Sequence, residues 1–341
     1  MLLTHEFIPA AELTGFARAA LADLPENQFQ LRTFLGDETH DDLQFEFTKG
    51  GEGLTRAATY RTWDTEAPLT ARPGVSKVVG ELPPISRKIP VMEYAQLQQR
   101  KQEQRINDLI LRDAERLVRE TAARVELARS SALVYGRVDI DELQMTVDFG
   151  RHEDMSPTPG VNWDASGAEP LSDLMDWVEK YRTRNGIAPS VILTSQRIVG
   201  LLMRNSEIRS AVYGNAVDDS PNFVSQSSLN TVLQAHGLPA IEVYDAQVQT
   251  DNTTAQAVLP TNRVLMLPGD GVSLGRTLWG TTVESLSEGY GIEDGSEPGI
   301  VVGSYTTQDP VHLWTKSAAV AMPILGNADM AFSARVVSGQ D

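Results

Sequence analysis

Gly271-Val272-Ser273-Leu274-Gly275 satisfies the G-x-S-x-G pattern of a nucleophile elbow, and Asp309 and His312 follow it in the chain order of an α/β-hydrolase triad. An elbow exposes its serine on a sharp turn that runs from a strand directly into a helix. Here Arg276 to Val283 is rich in threonine and glycine and reads as extended chain, so the element that should follow Ser273 is wrong for the chemistry. His152-Glu153-Asp154 sets three donors side by side, but neighbours on a polar loop rarely converge on one ion, and His5, His40, His236 and His312 show no ligand spacing. The acidic run Glu288 to Gly299 lacks the alternating oxygen ligands of a calcium loop. There is no P-loop and no dinucleotide fingerprint. With no cysteine in the chain, thiolate nucleophiles, thiolate metal sites and disulfides are excluded. The expectation is a protein without catalytic, cofactor or metal site, with a serine hydrolase at Ser273 as the remote alternative.

The elements around these residues are more informative. Val91 to Tyr135 contains neither proline nor glycine and is bracketed by Pro90 and Gly136, which predicts one helix. An average helix has about 11–12 residues. Ile106, Ile110, Ala114, Leu117, Val125, Ala128 and Ala132 recur at steps of three, four or their multiples, flanked by Leu109, Val118 and Ala122. That is a single buried stripe without a strict heptad seam, so it should pack on a sheet.

Ahead of it, residues 1–44 read as an arm, with an amphipathic helix over Ala10 to Leu24 and an acidic loop from Asp37 to Asp42. Leu54 to Trp63 and Val75 to Ile89 have strand-like composition around a turn at Asp64 to Gly74, punctuated by Pro68, Pro73, Pro83 and Pro84 and closed by Pro90. A two-stranded hairpin is marginal alone and needs a partner surface. Its cations and tryptophan, Arg56, Arg61, Trp63, Arg72, Lys77, Arg87 and Lys88, are the candidate contact residues between subunits.

Beyond Gly136, Met145 to Gly150 alternates as a strand, and Ser156 to Pro170 marks a boundary. Helices are expected at Leu171 to Asn185, at Ser195 to Met203 with Ser195 as N-cap, and at Ser225 to His236. Strands are expected at Ser190 to Thr194, Ala240 to Tyr244, Ala257 to Leu259, Arg263 to Leu267, Val311 to Met322 and Met330 to Val337.

Composition bounds the function. The 341 residues are 41% hydrophobic and 22% charged, which favours a folded chain over disorder. No run reaches the 18 or so apolar residues that span a bilayer, and Met1 to Glu6 shows no basic leader ahead of an apolar run, so a secretory route is not expected. Asn252-Thr253-Thr254 is then a chance sequon. The formal net charge is −17, unevenly spread. Residues 1–44 carry −6, residues 54–90 carry +3, and residues 136–341 carry −14. Such a surface repels nucleic acid and argues against a sequence-specific binder.

The order of arm, extended loop, long helix, strand, globular region and returning strands resembles the major capsid proteins of tailed bacteriophages, in the family of the lambda capsid protein E. The resemblance rests on Val147-Asp148-Phe149-Gly150-Arg151 after the helix and on Gly160-Val161-Asn162-Trp163. It continues through Leu259 to Val264, Leu274 to Gly280, Asp309-Pro310 and Ser317 to Pro323. It gives Ser273 a structural explanation. It implies an α+β chain of the Hong Kong 97-type capsid fold: an N-terminal arm at 1–44, an extended loop at 45–90, spine helix and peripheral domain at 91–170, an axial domain at 171–305, and C-terminal strands at 306–341. Pentamers and hexamers of the chain would then tile an icosahedral head around DNA that they touch only non-specifically. The partners implied are other copies, a separate scaffolding protein, a portal and, in some relatives, a decoration protein, with no membrane and no cofactor. Assembly would take place in the host cytoplasm. An encapsulin-like compartment shell shares the fold and is the nearer alternative.

Overall fold

The computed structural model describes residues 8–22, 29–49, 76–99, 103–214, 224–250, 255–269, 271–290, 299–309 and 311–339. In chain order the elements are α1 (Ala10–Ala22), β1 (Leu35–His40), β2 (Gln44–Lys49), β3 (Ser76–Glu81), β4 (Pro84–Val91), α2 (Glu93–Gln99), α3 (Glu103–Tyr135), β5 (Arg137–Ile140) and β6 (Met145–Asp148). They continue with α4 (Pro170–Asn185), β7 (Val191–Thr194), α5 (Gln196–Leu202), α6 (Ser206–Tyr213), α7 (Gln226–Ala235), β8 (Ile241–Val243), β9 (Gln247–Gln249) and β10 (Ala255–Ala257). The last are β11 (Arg263–Leu267), β12 (Gly275–Gly280), β13 (Val301–Thr306), β14 (Leu313–Leu325) and β15 (Phe332–Arg335). The chain divides into two compact units. One comprises Met1–Phe45, Val79–Ser130 and Arg276–Ile324; the other comprises Glu46–Val78, Ser131–Gly275 and Leu325–Asp341.

The first unit is a sheet with a helix on one face. Strand order is β1-β12-β14-β13, and β4 also pairs with the long strand β14. Antiparallel register sets Leu313 opposite Val91, Lys316 opposite Lys88 and Val320 opposite Pro84. Residues directly opposite point to one face, so alternate residues of β14 serve two different surfaces. Val91, Leu313, Ala319, Ala321 and Val302 pack with Ile106, Ile110, Ala114, Val118 and Val125 of α3 in one apolar core. The predicted stripe therefore does face a sheet. At about 1.5 Å per residue the 33 residues of α3 extend roughly 50 Å. The expected single helix over 91–135 is described as α2 and α3, and residues 100–102 lie outside the described residues.

Helix α1 adds Leu13 and Ala17 to the same core, and Ile8 just ahead of it joins them. Its buried Thr14 hydroxyl donates to the Val302 carbonyl at 3.0 Å and accepts from the Val302 amide at 3.1 Å. One side chain thus satisfies both backbone groups of a residue on edge strand β13, which would otherwise be open to strand addition.

Two local expectations need correction. Of the stretch Asp37 to Asp42 read as an acidic loop, Asp37 to His40 belongs to strand β1 and only Asp41 and Asp42 stay in the turn, because an edge strand turns charged side chains outward and so carries little apolar signal. Val75 to Ile89 is not one strand: β3 pairs with β2, β4 pairs with β14, and buried Leu82 marks the switch before Pro83 and Pro84. The Leu82 amide, freed from either ladder, donates to the Leu43 carbonyl at 2.8 Å.

The second unit holds the mixed sheet β15-β11-β7-β8, antiparallel except for the parallel pair β7–β8. Leu174, Trp177, Val178 and Tyr181 of α4 pack with Ile192, Val264, Met266 and Phe332 of that sheet. Trp163 and Trp177 stack at 5.7 Å between centroids, and Phe332 lies 5.8 Å from Trp177. Among the described residues no helix is long and apolar enough to cross a membrane.

Candidate subunit-contact surfaces

Of the seven predicted contact residues, Arg56, Arg61, Trp63 and Arg72 lie outside the described residues. Lys77 on β3 pairs with Glu46 on β2. Arg87 on β4 reaches Glu120 of α3 at 3.2 Å, and the other oxygen of Glu120 takes Arg116 at 3.0 Å. Both cations stay largely exposed, so each pair contributes only about 0–1 kcal/mol. Lys88 points to the opposite side of β4 from Arg87, with its ammonium 4.2 Å above the ring of Trp314. Arg87 and Lys88 therefore serve opposite faces of β4.

The residues that first suggested chemistry are built differently from a catalytic centre. Ser273 is exposed on a turn whose Gly271 has φ +91°, and the chain runs on into strand β12 rather than a helix. His152 caps a single 3₁₀ turn, its Nδ1 accepting from the Asp154 amide at 3.3 Å. Among the described residues no group of three or more His, Asp or Glu side chains is placed to hold a metal ion. In the acidic run, Glu288–Tyr290 forms a 3₁₀ turn, and residues 291–298 lie outside the described residues.

What sequence reading missed is a set of polar anchors. In the first unit Arg129 of α3 donates to Thr277 Oγ1 at 2.8 Å, to Glu126 Oε2 at 3.2 Å and to Asp37 Oδ1 at 2.5 Å. Fully buried Glu126 also accepts from the Leu31 amide at 2.9 Å. Asp37 takes Trp279 Nε1 at 2.8 Å and Arg32 at 2.6 Å, and Thr277 donates to the Leu35 carbonyl at 3.0 Å. This cluster fastens the segment from Leu31 to Asp37 onto α3 and β12.

In the second unit Arg151 lies at the C-terminus of α3 and donates to the carbonyls of Ala132 (3.1 Å), Leu133 (2.6 Å) and Val134 (2.8 Å). The last carbonyls of a helix have no partner within it, and a cation there also meets the negative end of the helix dipole. Burial, and then the charge of Arg263, push the Arg151 pKa down from its ordinary value, against an opposing pull from Asp329. Gly136 makes this possible: it sits at φ +67°, and a Cβ there would lie 2.9 Å from Arg151 Cβ. Gly150 is constrained likewise, since at φ +75° a Cβ would run into the Lys49 side chain. Lys49 bridges to Asp148 at 2.5 Å. Asp148 is partly buried, which raises its pKa, but the Lys49 and Gly150 N–H bonds and the charges of Lys49 and Arg137 more than offset this and hold it below the usual carboxylate range.

Two further carboxylates act as staples. Buried Asp329 accepts from the His152 amide at 2.8 Å and from Arg184 Nε at 2.9 Å. Glu207 of α6 accepts from the Leu171 and Ser172 amides at 2.7 and 3.1 Å, capping the N-terminus of α4, whose own Glu169 makes no side-chain cap. Trp163 Nε1 donates to Asp173 at 2.9 Å. The Asp173 pKa is nevertheless raised: burial lifts it, the Trp163 bond opposes, and nearby Glu207, Asp176 and Glu169 add to the rise.

Comparison with known proteins follows the same lines. The profile of the family described as phage major capsid protein E matches residues 19–336. No curated protein sequence matches the chain. Among solved structures, one similar fold is a phage-related protein from Bordetella bronchiseptica RB50, at TM-score 0.59 and 12% identity, covering 98% of this chain and 97% of that one. Another is a prophage protein of E. coli CFT073 assigned as its capsid protein, at TM-score 0.65 and 12% identity, covering 97% and 99%. The fold is shared end to end while the sequences have diverged.

Proposed function

The chain belongs to the phage major capsid protein E family, and from that premise we propose that its copies assemble as pentamers and hexamers into the icosahedral head that encloses phage DNA. It is a major capsid protein with a structural role in the virion capsid. The family match over residues 19–336 is the observation that carries this reading. In it, residues 1–44 act as the arm, 45–90 as the extended loop, 91–170 as spine helix and peripheral domain, 171–305 as the axial domain and 306–341 as the returning strands. Assembly takes place in the host cytoplasm on a separate scaffolding protein, around a portal, with a decoration protein as a further partner. No step of this function needs a catalytic group, and Ser273 serves as a turn residue ahead of β12. An encapsulin-like compartment is not favoured, because the matching family is one of phage head proteins.

The test is direct. The full chain, expressed with its scaffold, forms closed shells visible by negative-stain microscopy, and shells from infected cells protect DNA from nuclease. A chain that stays monomeric under every assembly condition refutes the reading, and shells filled with a cargo enzyme in place of DNA replace it with the compartment.

A further inference from the structure

In the first unit the face of β14 turned away from α3 carries a strip of aromatic and basic side chains. Trp314 stacks on Tyr305 at 6.5 Å and 18°, meets His312 edge-on at 5.8 Å, and lies under the Lys88 ammonium. Its indole N–H donates to Thr307 Oγ1 at 3.3 Å, which fixes the ring as a platform. The strip continues through Val311, whose amide donates to Glu93 Oε1 at 3.0 Å, to the start of α2. There Met92, Tyr94 and Leu97 are 60%, 73% and 63% exposed. Lys316, directly across from Lys88, is neutralised by Glu284 at 2.5 Å. Lys88 has no carboxylate partner among the described residues. A cation held only by an aromatic ring, beside exposed apolar groups, stands out on a chain of formal charge −17.

The complement lies between β1 and β2. Asp41, Asp42 and Leu43 are exposed, Leu43 by 61%, and among the described residues neither aspartate forms an ion pair. The tip is held in shape, with His40 Nε2 2.9 Å from the Gln44 carbonyl and the Leu43 carbonyl accepting from Leu82. It is a pre-formed acidic turn with one apolar residue.

We propose that the Asp41-Asp42-Leu43 tip of one copy docks on the Lys88–Trp314 strip of the next, the carboxylates meeting the Lys88 ammonium and Leu43 covering the border at Val311, Met92 and Tyr94. This rests on the shell reading. The contact joins two different surfaces of the same chain, and heterologous contacts of that kind are the ones that close into rings of five or six. Its opposite charges set partner and register more than raw affinity.

The experiment uses the full chain with its scaffold and three variants: Lys88→Glu, Asp41→Lys/Asp42→Lys, and all three changes together. Particle yield is read by sedimentation and negative stain, and the Tm of unassembled chain checks that each variant folds. Each charge reversal alone lowers particle yield at least tenfold at unchanged Tm, and the combined variant restores it. Reversals that assemble like the parent, or a combined variant no better than the single reversals, overturn the proposal. If the parent chain itself fails to assemble, the shell reading falls; if the parent and Lys88→Glu assemble equally, only this contact falls.

Discussion

Arg129→Met is the sharpest test of what holds the N-terminal segment in place. The guanidinium makes three hydrogen bonds, to Thr277, Glu126 and Asp37, and the Glu126 carboxylate beside it is fully buried. Methionine fills a similar volume without charge, so the main loss is electrostatic: Glu126 keeps the Leu31 amide but loses the Arg129 guanidinium. Removing one partner of a buried pair costs about 3–5 kcal/mol. For a chain of 341 residues that lowers Tm by roughly 4–7 °C. The double variant Arg129→Met/Glu126→Gln removes the buried carboxylate charge while keeping an acceptor for Leu31, and should recover about 2 kcal/mol of the loss. Circular-dichroism melts of unassembled chain at low concentration measure both, since assembly would add stability by mass action. A single variant that melts within about 1 kcal/mol of the parent, or a double variant as unstable as the single, would refute the reasoning.

Three other outcomes are expected. Arg151→Gln leaves carbonyls of the last α3 turn poorly capped, and Gly136→Ala forces a Cβ into a left-handed position beside Arg151; each should cost about 1–3 kcal/mol and raise hydrogen exchange at the α3–β5 junction. Lys49→Met should raise the Asp148 pKa in a carboxyl NMR titration. Because the folded pKa lies below the unfolded one, Asp148 contributes its stability above about pH 4 and loses it as pH falls through the folded value, and the variant flattens that acid limb. Ser273→Ala should assemble like the parent, and a fluorophosphonate probe should leave Ser273 unlabelled; labelling there would reopen the hydrolase.

Much of the scaffold was legible because its signals are local. The α3 stripe repeats at helical period, α4 stops at Gly186, and β14 is a long apolar run, so periodicity and glycine placement were sufficient. The anchors were not, because they pair residues far apart in sequence: Arg129 with Asp37, Asp329 with Arg184, Glu207 with Leu171. Acidic β1 looked like a loop for the same reason, its identity depending on β12 alongside it. Ser195 had the composition of an N-cap, but its hydroxyl donates to the Thr261 carbonyl while the Asp245 carboxylate takes the Gln196 amide. Residue type marked the cap position, and tertiary packing chose the capping group. Arg151 alone carried a signal, as the cation that closes the Val147–Arg151 motif after the helix. Among contact residues, composition named Lys77, Arg87 and Lys88 equally, and only geometry separates the two already paired with carboxylates from the one that, among the described residues, is not.

A subunit of formal charge −17 must assemble against its own repulsion, and the ranges of the forces decide how it can. Repulsion between copies sums over charges many ångströms apart, whereas a contact pair such as the proposed Lys88–Asp41 would act across about 3 Å. At about 0.1 M salt the Debye length is about 10 Å, so the long-range term is cut while the contact term largely survives. At about 1 M the length is about 3 Å, and contact pairs weaken too. Particle yield, followed by light scattering, should therefore rise from low salt to about 0.1–0.2 M and fall again towards 1 M if charge-matched contacts hold the shell. A yield that keeps rising to 1 M would mean that apolar burial alone binds the copies. A yield that falls from the lowest salt onward would mean that net repulsion never opposed assembly, and the uneven charge of the chain would then need another explanation.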